Sequence, residues 1–311
     1  MVLSLMRANA TINEAVEARL LVGPYQIIIM KDENQASAFR LPEAAQCFVD
    51  DGIRDKEQPD FTYIISASAL PDVSKYDCIA SCNTVPTPYE IYRIGENTYL
   101  WIRDNNQNKV RLAYVISEGW SKWRLIADSS SRFGRDSFSS LVYIFAYSVL
   151  NKSGIMLHGV VMEWSGMGII VCAHSGVGKS THTNMWEDKE NALIINGDKA
   201  LCYRDKDMWF SCGAPWCGTS GKFVNKSVAI KAIILLERGH KNCIFAVSPL
   251  QAAINLIELT YAPSWNEFLM ARALDLLDDL VAKVPVYRLY CTPDYEAVQV
   301  LKQELQNLIG G

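Results

Sequence analysis

The segment from Cys172 to Trp186, CAHSGVGKSTHTNMW, places two glycines, a lysine and two hydroxyl residues where they could hold a polyanion. Gly176 and Gly178 permit the backbone conformations that aim successive N–H groups into one concavity. The following KSTHTNMWEDKE contains neither proline nor glycine, so it can begin a helix whose N-terminal dipole and free N–H groups favour the same anion. In such a motif Ser175, Gly176, Val177, Gly178, Lys179, Ser180 and Thr181 form the cradle. Lys179 reaches the outer phosphates, and the Ser180 hydroxyl ligates the magnesium that travels with them. A full Walker A pattern has glycine where this chain has Ala173, so the motif is relaxed, and the competing reading is a plain strand-to-helix turn. The chain carries its own control: Gly221-Lys222 is followed by Phe223 and has no such context.

The elements around the loop can be read from the same residues. IMLHGVVMEWSGMGIIVCA is two apolar strands around Ser165-Gly166-Met167-Gly168, so an antiparallel strand precedes the loop, unlike a simple βαβ start. With that turn centred between Gly166 and Met167, pairing places His158 opposite Ser175, beside the terminal phosphate. There its imidazole could take a proton or, protonated, offset phosphate charge. The alternative packs His158 with Val160, Met162 and Trp164 on one strand face. After the loop's helix, ALIIN predicts a buried strand ending at Gly197-Asp198, and SVAIKAIILLERG another. Helical stretches follow from Pro249 to Leu259 and from Trp265 to Leu280. The strand VPVYRLYC then leads to Thr292 as an N-cap, with Pro293 opening a last amphipathic helix.

Upstream, YQIIIM, FTYIISASAL, YEIYRI, NTYLWIRD, VRLAYVIS and WRLIAD are short aromatic and β-branched runs. With Gly95-Glu96-Asn97 and Asn105-Asn106-Gln107-Asn108 between neighbours, they predict hairpins in an antiparallel sheet. Ser129-Ser130-Ser131 and Gly134 form a polar break, after which DSFSSLVYIFAYSVLN offers Asp136 as the N-cap of an apolar helix. The domain boundary is expected there, with a β-rich domain over 1–132 and a nucleotide-binding domain over 133–311.

Composition narrows the partners. The 311 residues, 50 % of them hydrophobic, suffice for one large or two ordinary cores. Thirty Lys and Arg against 34 Asp and Glu, a net charge of -4, give no basic field for nucleic acid. The nine cysteines are scattered, without the two-residue gaps of structural zinc pairs, and read as free thiols. MVLSLMRANATINEAV is broken by Arg7 and Asn9 before a secretory core can form, and no run of 18 apolar residues occurs. A cytoplasmic protein with no membrane partner is expected.

LHGVVMEWSGMGIIVCAHSGVGKST followed by INGDKA resembles the core of HPr kinase/phosphorylase, which shares its fold with the phosphoenolpyruvate carboxykinases. The resemblance is strongest from Leu157 to Ala200. It rests on four features in order: the His-Gly-Val strand start, the glycine turn, the SGVGKS loop and the Asp close behind it. It implies an α/β fold, with a C-terminal HPr kinase-like P-loop domain behind the N-terminal antiparallel β-rich one. It also implies ATP with magnesium and phosphoryl transfer to a serine hydroxyl. Residue by residue, Lys179 and Ser180 match the phosphate and metal positions, Asp198 the second of the family's paired aspartates, and His158 the strand-start histidine. The implied catalytic set is therefore His158, Lys179 and Asp198, with Ser180 and Asp198 on the metal.

Three departures qualify it. Ala173 adds a methyl group in the loop, and Gly197 stands where the family has its first aspartate, one of the pair thought to deprotonate the acceptor. GAPWCGTSGKFVNKS replaces the family's downstream glycine-rich signature, so HPr itself is not the favoured substrate. Carboxykinases are much longer chains. Asp198 has a plainer reading as an Asx turn or helix cap. Lys199, Lys222 and Lys226 could clamp phosphate but lysines near loops are mostly solvated. Trp216 lines a pocket or fills the core, and His174 and His182 are expected to face solvent or the helix surface. The expectation is an ATP-dependent kinase acting on a hydroxyl of a small protein, peptide or metabolite, with homo-oligomerisation left open. The rival is an ATP-binding sensor of the same fold.

Overall fold

A computed structural model describes residues 14–32, 41–50, 58–67, 72–82, 88–103, 110–127 and 135–310. The N-terminal segment, the Asn105–Asn108 turn and the polar break at 129–134 lie outside them. The chain divides into two compact units, one of Met1–Leu21 with Tyr25–Leu141 and the other of Val22–Pro24 with Val142–Gly311.

The first unit holds β1 (Glu14–Val22), β2 (Tyr25–Asp32), the single turn α1 (Glu43–Gln46), β3 (Phe61–Ala67), β4 (Cys78–Cys82), β5 (Tyr89–Ile94), β6 (Asn97–Arg103), β7 (Val110–Ile116) and β8 (Lys122–Ala127). They form one sheet in the order β1-β2-β3-β8-β7-β6-β5-β4. The sheet is mixed, which corrects the antiparallel expectation: β2 with β3 and β3 with β8 run parallel. Strands flanked on both sides bury most of their residues, and Tyr63, Ile65, Trp123 and Leu125 lie at or below 2 % exposure at this centre. Phe61 stacks on Trp123 at 4.9 Å. Gly95, at φ 61, turns β5 into β6 as its position suggested.

The helix α2 spans Arg135–Val149, and the capping role expected of the Asp136 side chain lies outside what is described. Beyond it come β9 (Gly154–Trp164), β10 (Met167–Cys172), α3 (Lys179–Glu190), β11 (Leu193–Asn196), β12 (Lys199–Asp205), β13 (Met208–Cys212), β14 (Ser227–Arg238), β15 (Cys243–Val247), α4 (Pro249–Ile257), α5 (Glu267–Lys283), β16 (Val286–Cys291) and α6 (Tyr295–Gly310). The eight strands are hydrogen-bonded into one sheet, β10-β9-β12-β13-β14-β16-β15 with β11 on β9 and a further pairing of β10 with β14, and both β9 and β14 are long enough to change partners along their length. The first half of β9 pairs with β12 and the second with β10 and β11. Likewise β14 meets β13 at its start, then β10 and β16, both parallel. The core lies where these strands cross under two helices. Val160, Met162 and Trp164 of β9 join Ile169 and Val171 of β10, beneath Trp186 of α3 and Leu301 of α6. Trp164 and Trp186 meet edge-on at 5.2 Å.

Two expectations about boundaries change. Pairing of β9 with β10 runs from Met167↔Trp164 to Cys172↔Gly159, so the hairpin turn is Ser165-Gly166 and the register is two residues tighter than expected. His158 is therefore in line with Ala173 rather than Ser175. Both turn residues have positive φ, 50° and 77°, as a two-residue type I′ turn requires. The last helix is capped by Asp294, whose Oδ1 accepts from the Ala297 N–H at 3.4 Å, not by Thr292. Thr292 instead donates its hydroxyl to Asp294 Oδ2 at 2.7 Å. No helix among the described residues is long and apolar enough to cross a membrane.

Candidate functional site

The site is built where β10 hands over to α3. Every residue of β10 is buried, so the strand is held on both edges until Cys172 and the chain leaves the sheet only there. Gly176 (φ 80) and Gly178 (φ 124) turn the backbone through conformations that side-chain-bearing residues rarely adopt. The Val177 N–H closes a turn onto the His174 carbonyl at 3.4 Å. α3 starts at Lys179 with Gly178 as its N-cap, and no side chain caps its first amides. Ser175, Gly176, Ser180 and Thr181 are exposed, whereas Lys179 is buried.

Lys179 reaches back under its own loop. Its ammonium donates to the carbonyls of Ala173 and His174, the latter at 3.5 Å, and lies 3.0 Å from His158 Nε2. Three protons thus meet three acceptors. Among the described residues no carboxylate lies within ion-pair distance of Lys179; Asp198, on the far side of His158, acts on its charge only at longer range. Burial lowers the Lys179 pKa. His158 is lowered as well, first by burial and then by the Lys179 charge, against the opposing pull of Asp198. Its imidazole is therefore neutral near pH 7, with Nε2 as the acceptor. Nδ1 stands 3.3 Å from Asp198 Oδ1, close enough for electrostatic orientation but without hydrogen-bond alignment. Lys179, His158 and Asp198 form one contiguous chain.

Asp198 is set by a residue that sequence reasoning passed over. Asn196 is fully buried and donates to the carbonyls of Ala214 (3.0 Å) and Trp216 (3.2 Å). Its side-chain oxygen, Oδ1, accepts from the N–H groups of Asp198 (3.0 Å) and Lys199 (2.8 Å). The Asx turn considered for Asp198 belongs to Asn196, and it fixes the backbone that carries the Asp198 carboxylate. Asn ahead of Gly in ING was the available signal.

Lys199 is not a solvated lysine. Its ammonium pairs with Asp198 Oδ2 and lies 5.0 Å from the ring centre of Tyr261. Burial opposes that charge, but Tyr261 and Asp198 outweigh it and the net pKa shift is upward. Tyr261 is placed by a backbone bond to Met156 of β9 at 2.9 Å, and Leu259 accepts from the His158 N–H at 2.7 Å. The connection after α4 thereby completes the site wall.

Gly197 takes no acid for a steric reason. A Cβ there would lie 2.1 Å from Ser220 Oγ, so the loop after β13 fills the space. Ser220 is itself held by the Cys217 carbonyl at 2.6 Å.

The other candidates separate from this cluster. Ser180 and Thr181 sit on the exposed first turn of α3, and no hydrogen bond joins Ser180 to Asp198. Lys222 pairs with Glu187 and Asn184 (2.8 Å), and Lys226 with Glu163. Trp216 is 6 % exposed and packs on Phe145 at 5.0 Å, a core position. His174 is exposed as expected. His182 is not: it is 2 % exposed and accepts from the Trp186 indole N–H at 3.1 Å. Burial pulls its pKa down to about 4.

The fold and this junction define a mixed α/β protein with a glycine loop between a buried strand and a helix. Residues 135–295 match the family model described as SynChlorMet cassette protein ScmC, and the chain belongs to that family. No curated protein matches the chain. Among solved structures it is similar to the Hpr(Ser) kinase/phosphatase from Coxiella burnetii, at 8 % identity and a TM-score of 0.32, covering 50 % of this chain and 99 % of that one.

Proposed function

We propose that this chain is a magnesium-ATP-dependent phosphotransferase that delivers a phosphoryl group to a hydroxyl of a protein, peptide or small metabolite. The observation that carries the reading is the 3.0 Å approach of the Lys179 ammonium to His158 Nε2 beneath the glycine loop.

The residues present fit a nucleotide polyphosphate. The loop glycines leave open space where side chains would stand, the first amides of α3 are uncapped, and the Lys179 charge has no acid partner. The amides of Ser175 to Thr181 and the Lys179 ammonium would hold the phosphates, and Ser180 with Asp198 would serve the metal. Bound magnesium-ATP would supply the γ-phosphoryl group, its bond to the β-phosphate breaking as the bond to the acceptor oxygen forms and ADP leaving, together with a cation that offsets the charge. The protein's share is positioning and electrostatics. As Lys179 turns its protons toward a polyanion, His158 Nε2 is left as a neutral acceptor for the hydroxyl proton. Asp198 would then face the imidazolium that forms, while Lys199 pairs with its carboxylate and Asn196 holds its backbone.

A base at His158 also answers the missing acid at Gly197, whose space Ser220 occupies. That same packing favours the second reading, an ATP-binding sensor. Acceptor recognition is assigned to the β-rich domain over 1–132, nucleotide binding to 133–311, and the setting to the cytoplasm.

Transfer separates the readings. With magnesium-ATP and a library of hydroxyl-bearing peptides and metabolites, mass spectrometry should find phosphorylated product for the parent chain. Asp198→Asn should reduce its rate by roughly a hundredfold and change the magnesium titration, with ATP affinity within a few fold. Tight ATP binding without any product favours the sensor. An unchanged magnesium titration in the variant reassigns Asp198 to a structural role.

A further inference from the structure

Arg238 ends β14, and its register brings it to the loop. β10 and β14 run parallel with Cys172 beside Leu235, so both strands leave the sheet at the same edge. Three residues beyond that pair, the Arg238 guanidinium donates from Nη2 to the Gly176 carbonyl and from Nε to the Val177 carbonyl at 3.3 Å. The base of the side chain is fixed because Arg238 pairs with Cys291 of β16. The neighbouring acid is engaged elsewhere: Glu237 binds Arg288 Nε at 3.0 Å. Among the described residues no carboxylate pairs with Arg238.

A trans peptide unit points its C=O and the next N–H in opposite directions. Holding the carbonyls of Gly176 and Val177 from outside therefore turns the N–H groups of Val177 and Gly178 to the other side of the loop. The Val177 N–H makes only the long bond to His174, and the Gly178 N–H adjoins the start of α3. We propose that Arg238 is a positioning residue that clamps the outer carbonyls of the glycine loop, so that its amides face a nucleotide's phosphates before one arrives. This deepens the phosphotransferase reading and rests on it for the identity of the anion. The fork matters as well as the charge, because the planar guanidinium presents Nε and Nη2 in a fixed geometry that spans these two successive carbonyls, whereas an ammonium is a point charge without that fork. An uncompensated cation behind the loop also adds to the attraction exerted by Lys179.

The test uses the full chain and the variants Arg238→Lys and Arg238→Met, with two readouts. The first, without nucleotide, is the backbone ¹⁵N order parameter at Gly176, Val177 and Gly178. It should fall in both variants from the rigid range near ~0.85 toward ~0.6, while the strands of the core are unchanged. The second is calorimetric affinity for magnesium-ATP and for inorganic tripolyphosphate. Both should weaken by roughly tenfold to a hundredfold in Arg238→Met, the scale of charge-assisted hydrogen bonds, and by less in Arg238→Lys. A loop as rigid in Arg238→Met as in the parent overturns the clamp, whatever the affinities. A loop that loosens in a chain whose parent form binds neither ATP nor tripolyphosphate upholds the clamp and rejects the phosphotransferase reading.

Discussion

The chain contains the dipeptide Gly-Lys in two functional-looking places, and their surroundings differ in kind. Lys179 is buried, its ammonium held by two carbonyls and an imidazole, with no acid within ion-pair distance among the described residues. Lys222 is about a third exposed, and Glu187 neutralises it. Both follow a glycine of positive φ. The difference lies in what each cation faces: removing an ammonium from water without a counter-charge is costly, and the cost favours an incoming anion. Lys222 has already spent its charge on a surface pair. The two lysines make a matched experiment within one domain.

The largest effect is expected at Lys179. Lys179→Met should lower phosphoryl transfer by about a thousandfold or more, because no neighbouring cation occupies its place in the loop. His158→Ala comes next, with a loss of roughly a hundredfold to a thousandfold in turnover and ATP affinity within a few fold. Equal losses in affinity and turnover would make His158 a binding residue and remove the base from the mechanism.

The next effect concerns stability on the buried face of α3 that carries Lys179. His182 has a folded pKa of about 4 against an ordinary 6.5. Between those values the unfolded chain binds a proton that the native chain refuses. The stability from neutral His182 is present in full above pH 6.5 and is lost as pH falls toward 4, by about 3 kcal/mol at most. Urea midpoints of the parent and His182→Leu across that window check it: the parent should lose more stability on acidification. Parallel curves would show that His182 protonates without cost. The smallest effect is at Lys222. Lys222→Met should change stability by less than about 1 kcal/mol, as exposed pairs do.

The loop and its flanking hairpin were legible because apolar runs broke cleanly at glycines. The register was not, since SGMG offers two glycines and only Gly166 belongs to the turn. Gly168 is needed where β10 approaches β14, as its Cβ would come within 2.6 Å of the Ala229 carbonyl. His182 misled because α3 turns Lys179, His182, Thr183 and Trp186 inward, a face with one apolar residue, so no hydrophobic period marks it. β12 and β13 escaped notice because Asp205, Lys206 and Asp207 place charge between them, and β15 because its CIFAV run is short and sits on the sheet's edge. In the first sheet, alternation indicates strands but does not distinguish parallel from antiparallel neighbours. Tyr261 and Arg238 belong to the site only through tertiary contacts, whereas Asn196 carried a local signal and Lys199, beside Asp198, reads in sequence as a solvated lysine.

The most direct measurement is calorimetric titration of magnesium-ATP into the parent chain, Lys179→Met and Lys222→Met under the same conditions. The parent should bind, Lys179→Met should lose about a hundredfold or more in affinity, and Lys222→Met should stay within roughly threefold of the parent. Equal binding by the parent and Lys179→Met, or no binding by the parent, would contradict the assignment of the glycine loop as a phosphate site.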